Sequence, residues 1–283
     1  MPIERKPAEQ IQVDWVGDAM EVVDPDTGEL LKVYVFVASL PYSGYLYAEG
    51  FYSMKETNWI RTHVHAFSFF GGVGPILVPD NLKAGAIKHT LDELILNEQY
   101  RRMAEYYGCA IVPARLRKPK DKASVEISVN IVERQAIAPL RNRRFLSLAD
   151  LNRALISRVE AINFRPFQKR ERSKKSVFDN QEKELLIPLP ARPYEAVVRK
   201  RVTVNFNYHI SFEGMWYSVP FSYVKREVEV QANASTAKII CDGKRVALHK
   251  RIYSPKGAYS TNPEHMPDNH KDYLEWTGDR FRA

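Results

Sequence analysis

The run Lys32-Val-Tyr-Val-Phe-Val-Ala-Ser39 constrains the fold more than any other part of the 283-residue chain. It is nearly unbroken in β-branched and aromatic residues, so it reads as a central strand buried on both faces. Gln10-Ile-Gln-Val-Asp-Trp-Val16 alternates as a strand should, and the turn cluster Asp24-Pro-Asp-Thr-Gly-Glu29 joins it to the central run. Tyr45-Leu-Tyr-Ala-Glu-Gly-Phe51 follows across a Pro41/Gly44 turn, which makes three antiparallel strands in a row. Helical spacing of Trp59, Ile60, His63, Val64, Phe67 and Phe70 predicts a helix over 56–70, stopped at Gly71. A short apolar strand, Pro75-Ile-Leu-Val78, then runs into Pro79-Asp80. A helix over 90–107, a strand over 109–113 of the kind that pairs in parallel, and a helix over 121–138 complete a mixed five-stranded α/β sheet.

Beyond residue 147 the pattern changes. Leu148, Leu151, Leu155, Ile156, Val159 and Ile162 describe one amphipathic helix, and 167–193 is basic and broken by Pro188, Pro190 and Pro193. Five short strands between 199 and 251 predict a small all-β barrel. The expected division is therefore a core at 1–147, a basic helix and proline-rich connector at 148–198, a barrel for DNA binding or assembly at 199–253, and a tail with a short helix at 254–283.

Charge narrows the partner. The net charge is +8, yet residues 1–109 hold 9 Lys+Arg against 15 Asp+Glu, while residues 141–203 hold 16 against 7. An acidic first third beside a basic middle suits a polyanionic partner better than a cationic one. No apolar run reaches the ~18–20 residues of a membrane span, and Met1-Pro-Ile-Glu-Arg-Lys-Pro7 lacks the apolar stretch of a signal peptide. Cys109 and Cys241 are too few for a disulfide framework or a cysteine zinc site. These features predict a soluble cytoplasmic chain, nucleoid-associated if its partner is DNA, with no membrane contact.

Three carboxylates stand where chemistry would want them. Asp14 lies mid-strand on one face with Gln12 and Val16; Asp80 follows a buried strand, at the end where α/β ligands gather; Glu126 sits on the third predicted helix. Oxygen ligands without cysteine or paired histidine favour Mg²⁺ or Mn²⁺, and such ions in pairs act on phosphates. Taken singly, each acid also fits an ordinary role: a hairpin edge, a helix N-cap, an i, i+4 partner of Lys122.

The segments Glu9-Gln-Ile-Gln-Val-Asp-Trp15, Val78-Pro-Asp-Asn-Leu-Lys-Ala84 and Lys118-Pro-Lys-Asp-Lys-Ala-Ser-Val-Glu126 resemble the catalytic region of DDE transposases and retroviral-type integrases. With Leu140-Arg-Asn-Arg-Arg-Phe145, Asn163-Phe-Arg-Pro-Phe167, Tyr217-Ser-Val-Pro-Phe221 and Asn262-Pro-Glu-His-Met-Pro267, they are most similar to the IstA-type insertion-sequence transposases, over nearly the whole chain. The resemblance implies an RNase H-like core and a catalytic, metal-binding triad of Asp14, Asp80 and Glu126, the last two 46 positions apart. It also implies two Mg²⁺ (or Mn²⁺) ions, cleavage that frees a DNA 3′ end, transfer of that end to target DNA, a homo-oligomer on DNA and an AAA+ helper ATPase. Integrases carry lysines one and two turns after the glutamate, where this chain has Asn130 and Glu133, so Lys120, Lys122 and Arg134 are substitutes at most. IstA-type proteins also have N-terminal helix-turn-helix domains; nothing before Asp14 is long enough for one, so the chain reads as a fragment.

Arg115-Leu-Arg-Lys-Pro-Lys120 and Arg141-Asn-Arg-Arg144 bracket the Glu126 helix. The expected phosphate contacts are Lys83, Arg115, Arg117, Lys118, Lys120, Lys122, Arg141, Arg143 and Arg144. Phe206, Tyr208, Trp216 and Tyr217 could stack on exposed bases, though at strand spacing they equally suit a core. Gly71-Gly-Val-Gly74 precedes a strand and lacks a following Lys-Ser/Thr, which excludes a phosphate loop, and the histidines lack metal-ligand spacing. A nuclease that hydrolyses without joining strands, or a DNA-binding module without catalysis, are the competing readings.

Overall fold

The computed structural model describes residues 5–25, 28–80, 86–89, 94–113, 119–168, 170–233, 235–252 and 257–267. It divides into two compact units, Met1–Tyr194 and Glu195–Ala283.

In the first unit, β1 (Gln10–Trp15) and β2 (Met20–Val23) both pair antiparallel with β3 (Leu30–Leu40), and β4 (Tyr45–Phe51) pairs along the other side of β3. β5 (Ile76–Pro79) lies parallel to β1, and β8 (Ala110–Ile111) parallel to β5. The order β4-β3-β1-β5-β8, antiparallel on one side of β1 and parallel on the other, is a mixed five-strand sheet, with β2 extending the β1 side of β3. A small hairpin, β6 (Ala86–His89) and β7 (Leu94–Leu96), stands apart from it.

Strand parity divides the core. Ile11, Val13 and Trp15 face one way with Phe36 and Ala38 of β3. They meet α1 (Glu56–Phe70) and α2 (Glu98–Tyr107) in an aromatic layer where Trp15, Phe36 and Trp59 lie within 6.1 Å of one another, centroid to centroid. Such edge and tilted contacts suit the ring quadrupoles. Val16, Val33, Val35 and Val37 face the other way, onto Val132 of α3 (Pro119–Val132) and Leu151, Leu155, Val159 and Ile162 of α4 (Leu148–Phe164). Both faces of β3 are thus covered, as its sequence requires. α1 stops at Gly71, whose φ of 75° closes the helix on the carbonyl of Phe67.

Several boundaries differ from expectation. The helix expected from residue 90 begins at Glu98, because Asn97 caps it by accepting from the Gln99 N–H at 2.9 Å. The helix expected to reach 138 leaves α geometry after Val132, passing through a π turn (Glu133–Ile137) that keeps Ala136 and Ile137 in the core. The first unit continues past 147, since α4 completes the core. The segment expected to be an extended connector holds a short pairing of β9 (Pro166–Phe167) with β10 (Arg170–Ser173) and then α5 (Lys174–Gln181). A Ser173/Ser176 capping box starts α5, and Phe178 stacks on Tyr45 at 4.4 Å, which ties it to β4.

The second unit is all-β. β11 (Val198–Thr203), β14 (Glu227–Ala232), β15 (Thr236–Cys241) and β16 (Lys244–Lys250) form an antiparallel sheet. β12 (His209–Phe212), β13 (Met215–Ser218) and β17 (Tyr259–Ser260) form a second one. The two share a core that includes Phe212, Tyr217, Val230 and Ile239. Among the described residues no strand pairing joins the sheets. None of the described helices is long and apolar enough to cross a membrane.

Candidate active site

The parallel pairing of β1 with β5 runs Gln10↔Ile76, Ile11↔Leu77, Gln12↔Val78, Val13↔Pro79. One residue further along this register, Asp80 stands beside Asp14, and the Asp80 N–H continues the ladder by donating to the Val13 carbonyl at 3.1 Å. Neighbours in register on adjacent strands are about 4.8 Å apart and share a face. Both acids are half-buried. Asp14 Oδ1 accepts from the Trp15 N–H at 2.8 Å, which turns that oxygen back along its own strand.

The face they share is fixed by parity. Asp14 pairs with Val37, a residue of the core layer beneath α3 and α4. α3 packs against β1 and β3 through Val129 and Val132, so the helix carrying Glu126 crosses the same face of the sheet as the two aspartates. Glu126 itself is exposed, and its carbonyl accepts from Asn130 Nδ2 at 2.9 Å. The structure therefore brings Asp14 and Asp80 together and puts Glu126 over their side of the sheet. Among the described residues, no three Asp, Glu, His or Cys side chains come together as a group that could hold a metal ion. The donor chemistry still fits a hard cation: two carboxylates at strand spacing repel each other, and a divalent ion between oxygen ligands removes that repulsion.

Of the expected phosphate contacts, Lys83, Arg115, Arg117 and Lys118 lie outside the described residues, and Lys120 and Lys122 fall on α3 with side chains also outside them. Arg141, Arg143 and Arg144 are described and exposed. Arg141 pairs with Asp18 at 2.7 Å, and the Arg143 guanidinium lies 5.0 Å from the Phe145 ring centroid. With Glu21, Leu30 and Leu140 they line a cavity of about 620 Å³ beside the turn between β1 and β2. Asp18 was absent from the residues singled out by sequence, and only its fixed distance from Asp14 hinted at it.

The histidines with described side chains are held by packing and hydrogen bonds. His63 is fully buried, its Nδ1 2.6 Å from the Trp59 carbonyl and its Nε2 3.2 Å from the Tyr100 hydroxyl, and burial lowers its pKa to about 4. His265 Nδ1 lies 2.8 Å from Ser218 Oγ, and His65 pairs with Glu49 at 2.8 Å.

The chain is similar to several known proteins. Residues 189–262 match the family described as Mu transposase, C-terminal domain. A Pseudomonas fluorescens protein assigned as the transposase of insertion sequence IS1162 is 39% identical over 98% of this chain and 50% of its own length. A Sinorhizobium fredii protein assigned as transposase y4uI is 40% identical over 97% of this chain and 54% of its own. The HTLV-2 integrase catalytic core, solved with magnesium, is similar at 14% identity and a TM-score of 0.43, over 61% of this chain and 97% of that one. The chain is similar to insertion-sequence transposases over nearly its whole length, and it spans about half the length of the curated relatives it matches.

Proposed function

We propose that this chain is the catalytic portion of a DDE transposase, a metal-dependent polynucleotidyl transferase that cleaves DNA to free a 3′ end and joins that end to target DNA. The observation that supports it most is the β1/β5 register, which sets Asp14 beside Asp80 at the carboxyl ends of two parallel strands. Catalytic groups gather at that end of an α/β sheet. Asp14 and Asp80 would hold the metal from the sheet, and Glu126 would supply the third carboxylate from α3. Two Mg²⁺ or Mn²⁺ ions, when bound, supply activation of the attacking oxygen and stabilisation of the leaving one. The protein's own part is to fix the carboxylates on rigid strands and to hold the phosphate backbone.

That backbone would run over Lys120 and Lys122 at the start of α3 and over Arg141, Arg143 and Arg144 after it, with Lys83, Arg115, Arg117 and Lys118 completing the basic rim. In the same reading the second unit closes as a small barrel that binds DNA or assembles subunits, the enzyme works as a homo-oligomer on DNA in the bacterial cytoplasm, and an AAA+ ATPase directs it to target.

The test is strand transfer of a short duplex with a free 3′-hydroxyl in Mg²⁺ or Mn²⁺, comparing the chain with Asp80→Asn. Joined product that vanishes in the variant is the expected result. Hydrolysis without joining would replace transposase by nuclease. DNA binding with neither activity, together with no Mn²⁺-dependent rise in melting temperature that Asp80→Asn abolishes, would overturn the metal site.

A further inference from the structure

Four aromatic residues of the second unit suit either a core or a base-stacking surface by sequence, and the structure separates them. Tyr217 is fully buried, and Trp216 stacks on Tyr259 at 5.8 Å. Phe206 is 80% exposed. A phenylalanine so exposed at the tip of a turn contributes nothing to a core.

The turn is built to hold it there. The Tyr208 N–H donates to the Asn205 carbonyl at 2.9 Å, the Asn205 N–H to the His209 carbonyl at 2.9 Å, and the Val219 N–H to the Tyr208 carbonyl at 2.8 Å. Tyr208 has φ 51° and Lys225, on the neighbouring turn, φ 68°. Side-chain-bearing residues seldom adopt that region, and they keep it where surrounding contacts force it. The two turns are stitched together, Lys225 N–H to Val204 O at 2.9 Å and Val204 N–H to Arg226 O at 3.0 Å. Lys225 Nζ is thereby set 4.9 Å from the Phe206 ring centroid. Exposed Arg199, Lys200 and Arg201 lie on nearby β11, and residues 195–267 hold 11 Lys+Arg against 6 Asp+Glu.

We propose that Phe206 stacks on an unpaired or unstacked DNA base while Lys225 takes the adjoining phosphate. The inference rests on the chain acting on DNA. It adds a place where the second unit engages bases rather than the backbone alone. An exposed ring with a cation over one face, leaving the other for a base, and a net positive surround are the components of sequence-tolerant single-strand contact.

The experiment is equilibrium binding of the full chain, in EDTA, to two labelled duplexes of equal length, one fully paired and one with three unpaired terminal bases. EDTA removes any dependence on the carboxylate site. The expected result is that Phe206→Ala weakens binding to the frayed duplex by roughly 5- to 150-fold, the range for one stacked base, and leaves the paired duplex and the melting temperature unchanged. Phe206→Trp should restore binding, with tryptophan fluorescence quenched by the frayed DNA. Lys225→Gln should weaken both duplexes alike and lower the salt dependence. Equal affinity of wild type and Phe206→Ala for the frayed duplex overturns the proposal. So does a change of oligomeric state in Phe206→Ala with DNA binding intact, which would make the tip a protein contact. Wild type binding neither duplex would instead sink the DNA reading itself.

Discussion

The free edge of β4 is closed by two asparagines, and replacing one of them tests how much the sheet depends on it. Asn163 is 1% exposed; its Oδ1 accepts from the Leu46 N–H at 3.0 Å and its Nδ2 donates to the Leu46 carbonyl at 2.7 Å. Asn152 does the same for Gly50, at 2.6 and 3.1 Å, from a half-buried position. Each amide replaces the missing neighbouring strand. The geometry matches: eleven residues of helix return to within ~20° of the same face and span ~16 Å, against ~13 Å for four residues of strand. In Asn163→Ala, one N–H and one carbonyl of Leu46 lose their partners inside the protein. At about 1–3 kcal/mol for each buried unsatisfied group, the loss should total about 2–6 kcal/mol, a large part of a typical domain stability of ~5–15 kcal/mol. Water can replace the Asn152 amide, so Asn152→Ala should cost only ~1 kcal/mol. Urea unfolding followed through Trp15 and Trp59, with hydrogen exchange of the β4 segment, reads both. A loss below 1 kcal/mol for Asn163→Ala, or equal losses for the two variants, would refute the edge-clamp account.

Two further outcomes follow from the packing. Burial holds His63 neutral with a pKa of about 4, against 6.5 for the free side chain, so its contribution is fully present above pH 6.5 and drains as pH falls from 6.5 toward 4. The decline should reach ~1.4 kcal/mol per pH unit, about 3 kcal/mol in all, and a urea midpoint that stays flat between pH 7 and 5 would contradict it. Gly50→Ala would set a Cβ 2.7 Å from Val33 Cγ1 and 3.0 Å from Asn152 Oδ1, so overpacking should cost about 1–3 kcal/mol, seen as a lowered melting temperature.

What the sequence reveals and conceals follows from which interactions are local. β3 is readable because burial on both faces leaves no polar alternation in Val33–Ala38, and the end of α1 because Gly71 supplies the positive φ its cap needs. Asp14 and Asp80 are identifiable as candidates from their places on strands. Their adjacency is not, because the pairing of β1 with β5 is a contact between segments 66 residues apart. The start of α2 was open to a closer reading, since Asn97 is a good N-cap seven residues inside the expected helix. α5 was hidden by composition: a basic, proline-flanked stretch reads as linker until Phe178 is seen against Tyr45. In the second unit, β11 ends at Thr203, which leaves Phe206 beyond the strand on a turn, and nothing local in the sequence marks that end.

The candidate site depends on that register more than on any catalytic side chain. A slip of one residue between β1 and β5 would move Asp14 from Asp80 to Pro79 and, because strand parity is two, turn it to the opposite face. Ile11, Val13 and Leu77, all fully buried on the aromatic side, oppose such a slip, since each would have to leave its layer. Gly74 eases the approach: a Cβ there would stand 3.1 Å from the Ala8 carbonyl oxygen and 3.3 Å from Ile11 Cγ1, so a side chain at the entry to β5 would press on β1 and its leading turn. The carboxylate pair is thus positioned by apolar residues on the other face of the sheet. The third carboxylate has a different support, a helix whose anchor is Val129 and Val132, one and two turns beyond Glu126. Two of these acids sit on the sheet and the third in the middle of a helix, so the β1/β5 register fixes the first two independently of how α3 packs.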